Sequence, residues 1–519
     1  MSETTRMTKA AGIIGSATFI SRILGFVRDM IIAWSLGAGP GSDAFFAAFR
    51  IPNLLRRLFA EGSLSIAFIP VFTDYLHHKG KPEAFYMARS QLLALAIFLI
   101  ILVMAGIVAA PLIVSMIAPG FIEWPEKYSL TVELTRIMFP YIFFISLLAV
   151  IMGILNCLGH FIAPALAPAI LNISIITCAL FLSPVMEHPA KGLAVGVLLG
   201  GFLQLAFQIP FLLRKGLFSR KNADPFHPGV KKVGKLMLPS IFGSAAYQIN
   251  IMISTMLASL LGQGSISYLY YADRLVQFPL GIFGIALASA VLPSLARQAS
   301  VGDLEGLGRT FAHAMNLIAF ITIPAMTGLI ILREPIIELL FKRGAFDAYT
   351  TQMTADALFY YCIGLWAFAG VRILVNAFYA MKDTKTPVVI AVISIAANIV
   401  FALFLMKFSG HCGLALAASL SSMINFILLV TALSWRLKNI SWASFVKSAC
   451  KAVLCSAIMG AMVNMMAQRL LTFQSLPLLL IIVICVLAGI LFYGVLAFIV
   501  KSTEINLLLT LLKENKKES

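Results

Sequence analysis

Residues 92–117 read LLALAIFLIILVMAGIVAAPLIVSMI, a run without one charged side chain. A membrane-crossing helix needs about 20 such residues to traverse about 30 Å of hydrocarbon, so this run is long enough to span. Residues 476–500, LPLLLIIVICVLAGILFYGVLAFIV, repeat the pattern towards the C-terminus. The apolar positions run on without alternating, which excludes the strands of a membrane β-barrel. Over 519 residues the chain is 60% hydrophobic and 12% charged, against about 45–50% apolar and about 25% charged in a soluble domain. Both figures exclude a water-soluble protein and define an all-α polytopic membrane protein.

Breaks rich in charge, proline and glycine predict fourteen transmembrane helices. They lie over 9–36, 42–75, 86–118, 128–157, 161–183, 190–214, 230–262, 265–297, 307–332, 350–381, 385–407, 411–436, 442–469 and 475–500. An even number puts both termini on one side. With that side cytoplasmic, twenty-four Lys and Arg fall in cytoplasmic segments and seven on the opposite side. The net charge of +17 therefore reads as the positive-inside bias and not as a nucleic-acid surface. The seven cysteines show no CxxC spacing and read as small core residues, with no disulfide or metal ligand set implied. The first apolar segment carries Arg22, Arg28 and Asp29, which suits a span and not a cleaved signal peptide.

The chain contains an internal repeat. Ser35–Gly39 (SLGAG) recurs as Leu260–Gly264 (LLGQG), and Arg50 corresponds to Arg274. Ala179-Leu180-Phe181-Leu182 recurs as Ala402-Leu403-Phe404-Leu405, and Gly192-Leu193-Ala194 as Gly413-Leu414-Ala415. Offsets of 221 to 225 residues hold throughout. Six spans separate equivalent helices, so the halves insert in parallel, an architecture of transporters with a central site. The expected organisation is a six-helix lobe over 1–222, a second over 223–440, and two extra helices with a basic tail over 441–519.

Eight basic residues fall inside the spans, and all are arginine: Arg22, Arg28, Arg50, Arg56, Arg57, Arg136, Arg274 and Arg372. A charge at mid-span costs about 2.5–3.5 kcal/mol on the insertion scale. A lone intramembrane arginine is as readily a packing or snorkelling group. Five in the first two spans, against Asp29 and Glu61 as local carboxylates, call for an anion or a wet cavity. Arginine in place of lysine favours a planar, bidentate partner such as phosphate. Arg57 and Glu61 stand at i,i+4, the spacing of a helical ion pair. Arg136, near a helix end, and the isolated Arg372 are weaker candidates. Prolines within the spans, among them Pro52, Pro140, Pro168, Pro279 and Pro293, suit bendable helices. No Walker A, HExxH or GxSxG pattern occurs. No catalytic residue, metal or cofactor is expected.

The segments Ser21–Asp29 (SRILGFVRD), Ser42–Phe46 (SDAFF), Ile51–Gly62 (IPNLLRRLFAEG) and Tyr271–Arg274 (YADR) closely resemble the signatures of the bacterial lipid II flippases. These form the MurJ/MviN family of the multidrug/oligosaccharidyl-lipid/polysaccharide exporter superfamily. The resemblance runs over essentially the whole chain. It implies two six-helix lobes around a central cavity, with the last helix pair forming a groove for a polyprenyl tail. It implies movement of undecaprenyl-diphosphate-linked disaccharide-pentapeptide from the inner to the outer leaflet of the cytoplasmic membrane, without a cofactor. Membrane lipids and the cell-wall synthesis machinery are the implied partners. By motif position Arg22, Arg28, Arg56 and Arg274 would meet the diphosphate and sugar, with Asp29, Asp43, Arg57 and Glu61 as supporting charges. Gln277 stands where family members often carry glutamate, and Asn398 is followed at i+4 by Ala402, a pattern that does not support sodium coupling. An exporter of another polyprenyl-diphosphate-linked polysaccharide unit is the alternative. A cation exporter would need carboxylates in the cavity, and a polyprenyl-phosphate enzyme would need a paired-carboxylate or His/Asp constellation that the chain lacks.

Overall fold

The computed structural model describes residues 3–57, 64–217, 222–437, 442–472 and 476–505. All regular structure among them is helical. In chain order the α-helices are α1 (Glu3–Leu36), α2 (Pro40–Leu55), α3 (Leu64–His78), α4 (Gly80–Val108), α5 (Ala110–Ile117), α6 (Pro125–Met138), α7 (Tyr141–Cys157), α8 (Ile162–Phe181), α9 (Pro189–Lys215) and α10 (Pro228–Ser259). They continue with α11 (Ser265–Pro279), α12 (Ile285–Ser300), α13 (Leu304–Ile331), α14 (Arg333–Phe341), α15 (Ala348–Ile363), α16 (Leu365–Ala380), α17 (Lys385–Arg436), α18 (Trp442–Thr472) and α19 (Leu478–Ile499).

Breaks inside the expected spans have local causes. Pro140 separates α6 from α7, because proline offers no N–H to continue the ladder. After Pro279 the backbone widens for one turn over 280–284, with the Ile285 N–H reaching back to Leu280 O, before α12 resumes. α15 and α16 meet at a 43° bend at Gly364. α17 runs for 52 residues but holds Gly410 at φ 54°, ψ −130°, which divides it near the boundary expected between 407 and 411. Among the described residues nine helical segments are long and apolar enough to cross a membrane, ten with α15 and α16 as one span. Outside that count α1 carries Arg22, Arg28 and Asp29 in its apolar stretch, and α2 and α3 are only 16 and 15 residues long.

Large apolar side chains such as Ile101, Val108, Phe181 and Phe498 lie more than half exposed. In water such a surface would aggregate; against acyl chains it is the stable arrangement.

The chain forms two compact units. The first comprises Met1–Ser267 with Arg343–Phe346, the second Tyr268–Lys342 with Asp347–Ser519. In the first, α8 packs on α1 and α9, α7 on α9, α2 on α6, and α10 on α3 and α4. Gln204 and Gln208, both buried, donate from α9 to the α8 carbonyls of Ala167 and Ala163 at 2.7 and 2.8 Å. Such bonds tie helices where no water competes. In the second, α13 packs on α16 and α18, α17 on α15 and α16, and α18 on α19. Tyr493 Oη donates to Phe320 O at 2.8 Å, seating α19 on α13. Lys451 on α18 donates to the Val500 and Lys501 carbonyls at 3.0 and 3.1 Å, satisfying orphan acceptors just past the α19 C-terminus. The buried Glu504 accepts from Ser448 and Ser502.

The repeat has a local structural meaning. A Cβ on Gly192 would lie 2.5 Å from Ser183 Oγ, and one on its counterpart Gly413 would lie 2.3 Å from Leu405 O. Both glycines let a helix start pass over the end of the preceding one.

A second such pair seals helix ends in the first unit. Gly120 faces Ser259 and Leu260, where a Cβ would meet Ser259 O at 2.1 Å. Gly344, 224 positions on, faces Trp34, whose carbonyl accepts the Ala345 N–H at 3.0 Å. Gly344 also holds φ +58°, where a Cβ is strained. We expect Gly344→Val to detach residues 343–346 from the end of α1. Hydrogen exchange at the Ala345 amide should quicken by about tenfold or more, since strain and clash together exceed ~1.4 kcal/mol. An unchanged rate would contradict this contact.

Outside the spans, Asp347 caps α15 by accepting the Thr350 N–H at 2.8 Å. That backbone bond holds its carboxyl below the usual aspartate value. The cap therefore contributes fully above the unfolded pKa and is lost as pH falls through the folded one. Asp347→Ala should cost ~1 kcal/mol of helix stability at pH 7. The difference should shrink as the pH is taken below 3.8 and the folded-state carboxyl protonates, which amide exchange at Thr350 and Thr351 would report.

Candidate functional site

The arginines of α1 lie on a helix whose neighbour supplies their partner. Arg28 donates through Nε and Nη2 to Asp29 Oδ1 at 3.0 and 2.7 Å, and through Nη1 to Asn172 Oδ1 on α8 at 3.0 Å. The Arg28 side chain is 12% exposed and that of Asp29 3%. Asn172 turns its amide nitrogen to Ser21 O at 3.0 Å, so one buried side chain clasps α1 at two points, two turns apart. Asn172 lies over Gly25, where a Cβ would stand 3.5 Å from Nδ2, at ordinary contact distance. Arg22 is exposed, two turns from Asp29 on the same helix face.

α2 starts at Pro40 after an extended Gly39, with Asp43 in its first turn. Asp43 is buried and takes four donors: Lys127 Nζ at 2.7 Å, Gly264 N at 2.8 Å, Ser267 N at 3.0 Å and Ser267 Oγ at 2.7 Å. It thereby ties α2, the start of α6 and the start of α11. Lys127 is itself buried and lies 4.0 Å from the centre of the Phe121 ring, a cation–π contact. Arg28, Asp29 and Asn172 thus form one cluster, and Asp43 belongs to another.

At the far end of α2, Arg56 donates through Nε and Nη2 to Asn53 Oδ1 at 3.2 and 2.9 Å. Arg50 and Arg57 are half-buried. Glu61, the expected partner of Arg57, lies outside the described residues. In the second unit Arg274 donates through Nη2 to Tyr270 Oη at 2.8 Å, with its guanidinium 4.8 Å from the centre of that ring. Gln277 donates to Asp273 Oδ1 at 3.4 Å. Arg136 is exposed, with Nε on Ile107 O at 3.3 Å, and Arg372 is half-buried. Among the described residues no group of three or more His, Cys, Asp or Glu could hold a metal ion.

Sequence inspection did not find Asn172, Asn53, Tyr270 or the role of Lys127. Asn53 and Tyr270 stand three and four residues before their arginines, a spacing that could have revealed them. Asn172, an amide in the apolar run ILNISII, gave a weaker signal. Lys127 reads as a loop residue until the fold brings Asp43 to it.

The long apolar helices and the arginines set among them define the class: an α-helical integral membrane protein. The family model described as Lipid II flippase MurJ matches residues 32–484, and the chain belongs to this family of multi-pass inner-membrane proteins. It is 40% identical over 434 residues to the probable lipid II flippase MurJ of Vibrio cholerae, covering 82% of each chain. It is 36% identical over 506 residues to the probable lipid II flippase MurJ of Bdellovibrio bacteriovorus, covering 96% of each. A solved lipid II flippase MurJ in an inward closed conformation matches with a TM-score of 0.79 at 30% identity, covering 94% of this chain and 98% of that one. An inward-facing multidrug resistance MATE family transporter shares the fold, with a TM-score of 0.67 at 16% identity over 83% of this chain and 98% of that one.

Proposed function

We infer that this chain is a lipid II flippase: it moves undecaprenyl-diphosphate-linked disaccharide-pentapeptide from the inner to the outer leaflet of the cytoplasmic membrane by alternating access. The observation that carries this is the family match over residues 32–484. Arg22, Arg28, Arg56 and Arg274 receive the diphosphate and sugar. The substrate's phosphates carry negative charge that hydrocarbon cannot solvate, and guanidinium forks supply bidentate, charge-assisted bonds in its place. Asp29 pairs with Arg28 and holds its orientation. Asp43, Arg57 and Glu61 act as supporting charges, Asp43 by fixing helix ends.

In this reading the chain crosses the membrane fourteen times with both termini in the cytoplasm. The ten apolar spans become eleven when α17 is divided at Gly410, and α1, α2 with α3, and α10 complete the set. Residues 1–222 and 223–440 act as parallel six-helix lobes around a central cavity, and 441–519 hold the polyprenyl tail in a groove. Delivery of the precursor to the outer leaflet places the protein beside the cell-wall synthesis machinery. Depleting the protein should cause lipid-linked peptidoglycan precursor to accumulate on the inner leaflet, read with a leaflet-selective label. Unchanged leaflet distribution would overturn the function.

A further inference from the structure

We propose that Asn172 is a positioning residue for diphosphate recognition: it fixes the Arg28 guanidinium with a neutral oxygen, so that orientation is gained without adding negative charge to the cluster. This rests on the function proposed above and assigns a role to a residue that the flippase signatures do not include. Arg28 and Asp29 already balance each other in charge. The third donor of Arg28 goes to Asn172 Oδ1, and the Asn172 amide nitrogen is anchored on Ser21 O. Both halves of the amide are therefore used, and its placement is determined by two bonds on one helix.

A carboxylate at position 172 would satisfy Arg28 with a stronger bond than an amide does. It would also leave the three-residue cluster with one net negative charge, which repels a diphosphate. An amide is the side chain of the same shape that avoids this. The choice recurs: Asn53 Oδ1 accepts from Arg56 and Tyr270 Oη from Arg274, each a neutral oxygen close by on the same helix. Three arginines assigned to one anion thus each bond a neutral acceptor, Arg28 in addition to its pair with Asp29.

The test compares Asn172→Asp with Asn172→Ala in the full-length protein reconstituted in liposomes. The probe is undecaprenyl diphosphate, with thermal unfolding measured in parallel. Asn172→Asp should bind the probe about ten- to a hundredfold more weakly than the parent, the scale of one added unit charge within about 8 Å at an effective dielectric of about 20. It should unfold somewhat below the parent temperature, because the Arg28 bond is kept while a carboxylate oxygen replaces the amide nitrogen that donated to Ser21 O. Asn172→Ala should weaken binding less than Asn172→Asp does. A structural tether alone predicts the reverse order, with aspartate binding better than alanine because it keeps one of the two bonds, and that result would overturn the proposal. Should both variants fail to fold, Asn53→Asp against Asn53→Ala puts the same question at Arg56, with the same ordering required. Failure of the parent itself to bind undecaprenyl diphosphate would instead overturn the function on which the proposal rests.

Discussion

Arg274→Ala should abolish lipid II translocation while leaving the protein folded and inserted, and Arg28→Ala should abolish it with some loss of stability. The difference follows from their partners. Arg274 donates to Tyr270, a neutral hydroxyl that leaves no buried charge behind when the guanidinium goes. Arg28 bonds Asp29, whose side chain is 3% exposed and would be left buried without that cation. In the proposed site each charge-assisted bond to the diphosphate would be worth about 1.5–3 kcal/mol. Loss of two removes at least a hundredfold in affinity, at about 1.4 kcal/mol per factor of ten. The residual Asp29 charge adds repulsion in the Arg28 variant. Arg28→Lys keeps the charge without the planar fork and should recover only part of the activity. A leaflet-accessibility assay on reconstituted protein measures this, with membrane insertion as the control. Flipping at the parent rate by Arg274→Ala would remove that residue from the site.

Asp43→Ala should be the most destabilising single change, by about 3–5 kcal/mol, because it strands the buried Lys127 ammonium. It also removes the acceptor for the Gly264 and Ser267 amides and the Ser267 hydroxyl. The Phe121 ring remains against Lys127 but cannot replace a carboxylate. Combining Asp43→Ala with Lys127→Met should recover part of the loss, since the uncompensated charge is gone while the orphaned amides persist. Thermal unfolding of the parent, both single variants and the double variant closes the cycle. A loss below about 1 kcal/mol for Asp43→Ala, or no recovery in the double variant, would show that the buried pair contributes little. The transport defect of Asp43 variants should follow stability, whereas that of Arg274→Ala should not.

The helices themselves were legible in the residues. Runs such as 92–117 must bury every backbone polar group within the segment once water is absent, and only a helix does that. Segment ends at 190–214 and 307–332 agree with Pro189–Lys215 and Leu304–Ile331 to within three residues. Arginine surplus was visible too, because composition and spacing are local properties. What holds each arginine depended on distance along the chain. Asn53 and Tyr270 lie one helical turn away and follow from helix geometry. Asn172 is 144 residues from Arg28, and Lys127 is 84 from Asp43. Such pairs exist only after α8 packs on α1 and α6 on α2. Hydropathy and charge along the chain thus determined that it forms apolar membrane helices and that cationic groups lie among them. Tertiary packing alone decided which carboxylate is committed to a buried lysine and which amide orients an arginine, because hydrogen bonds over 3 Å are made by neighbours in space that the linear order does not specify.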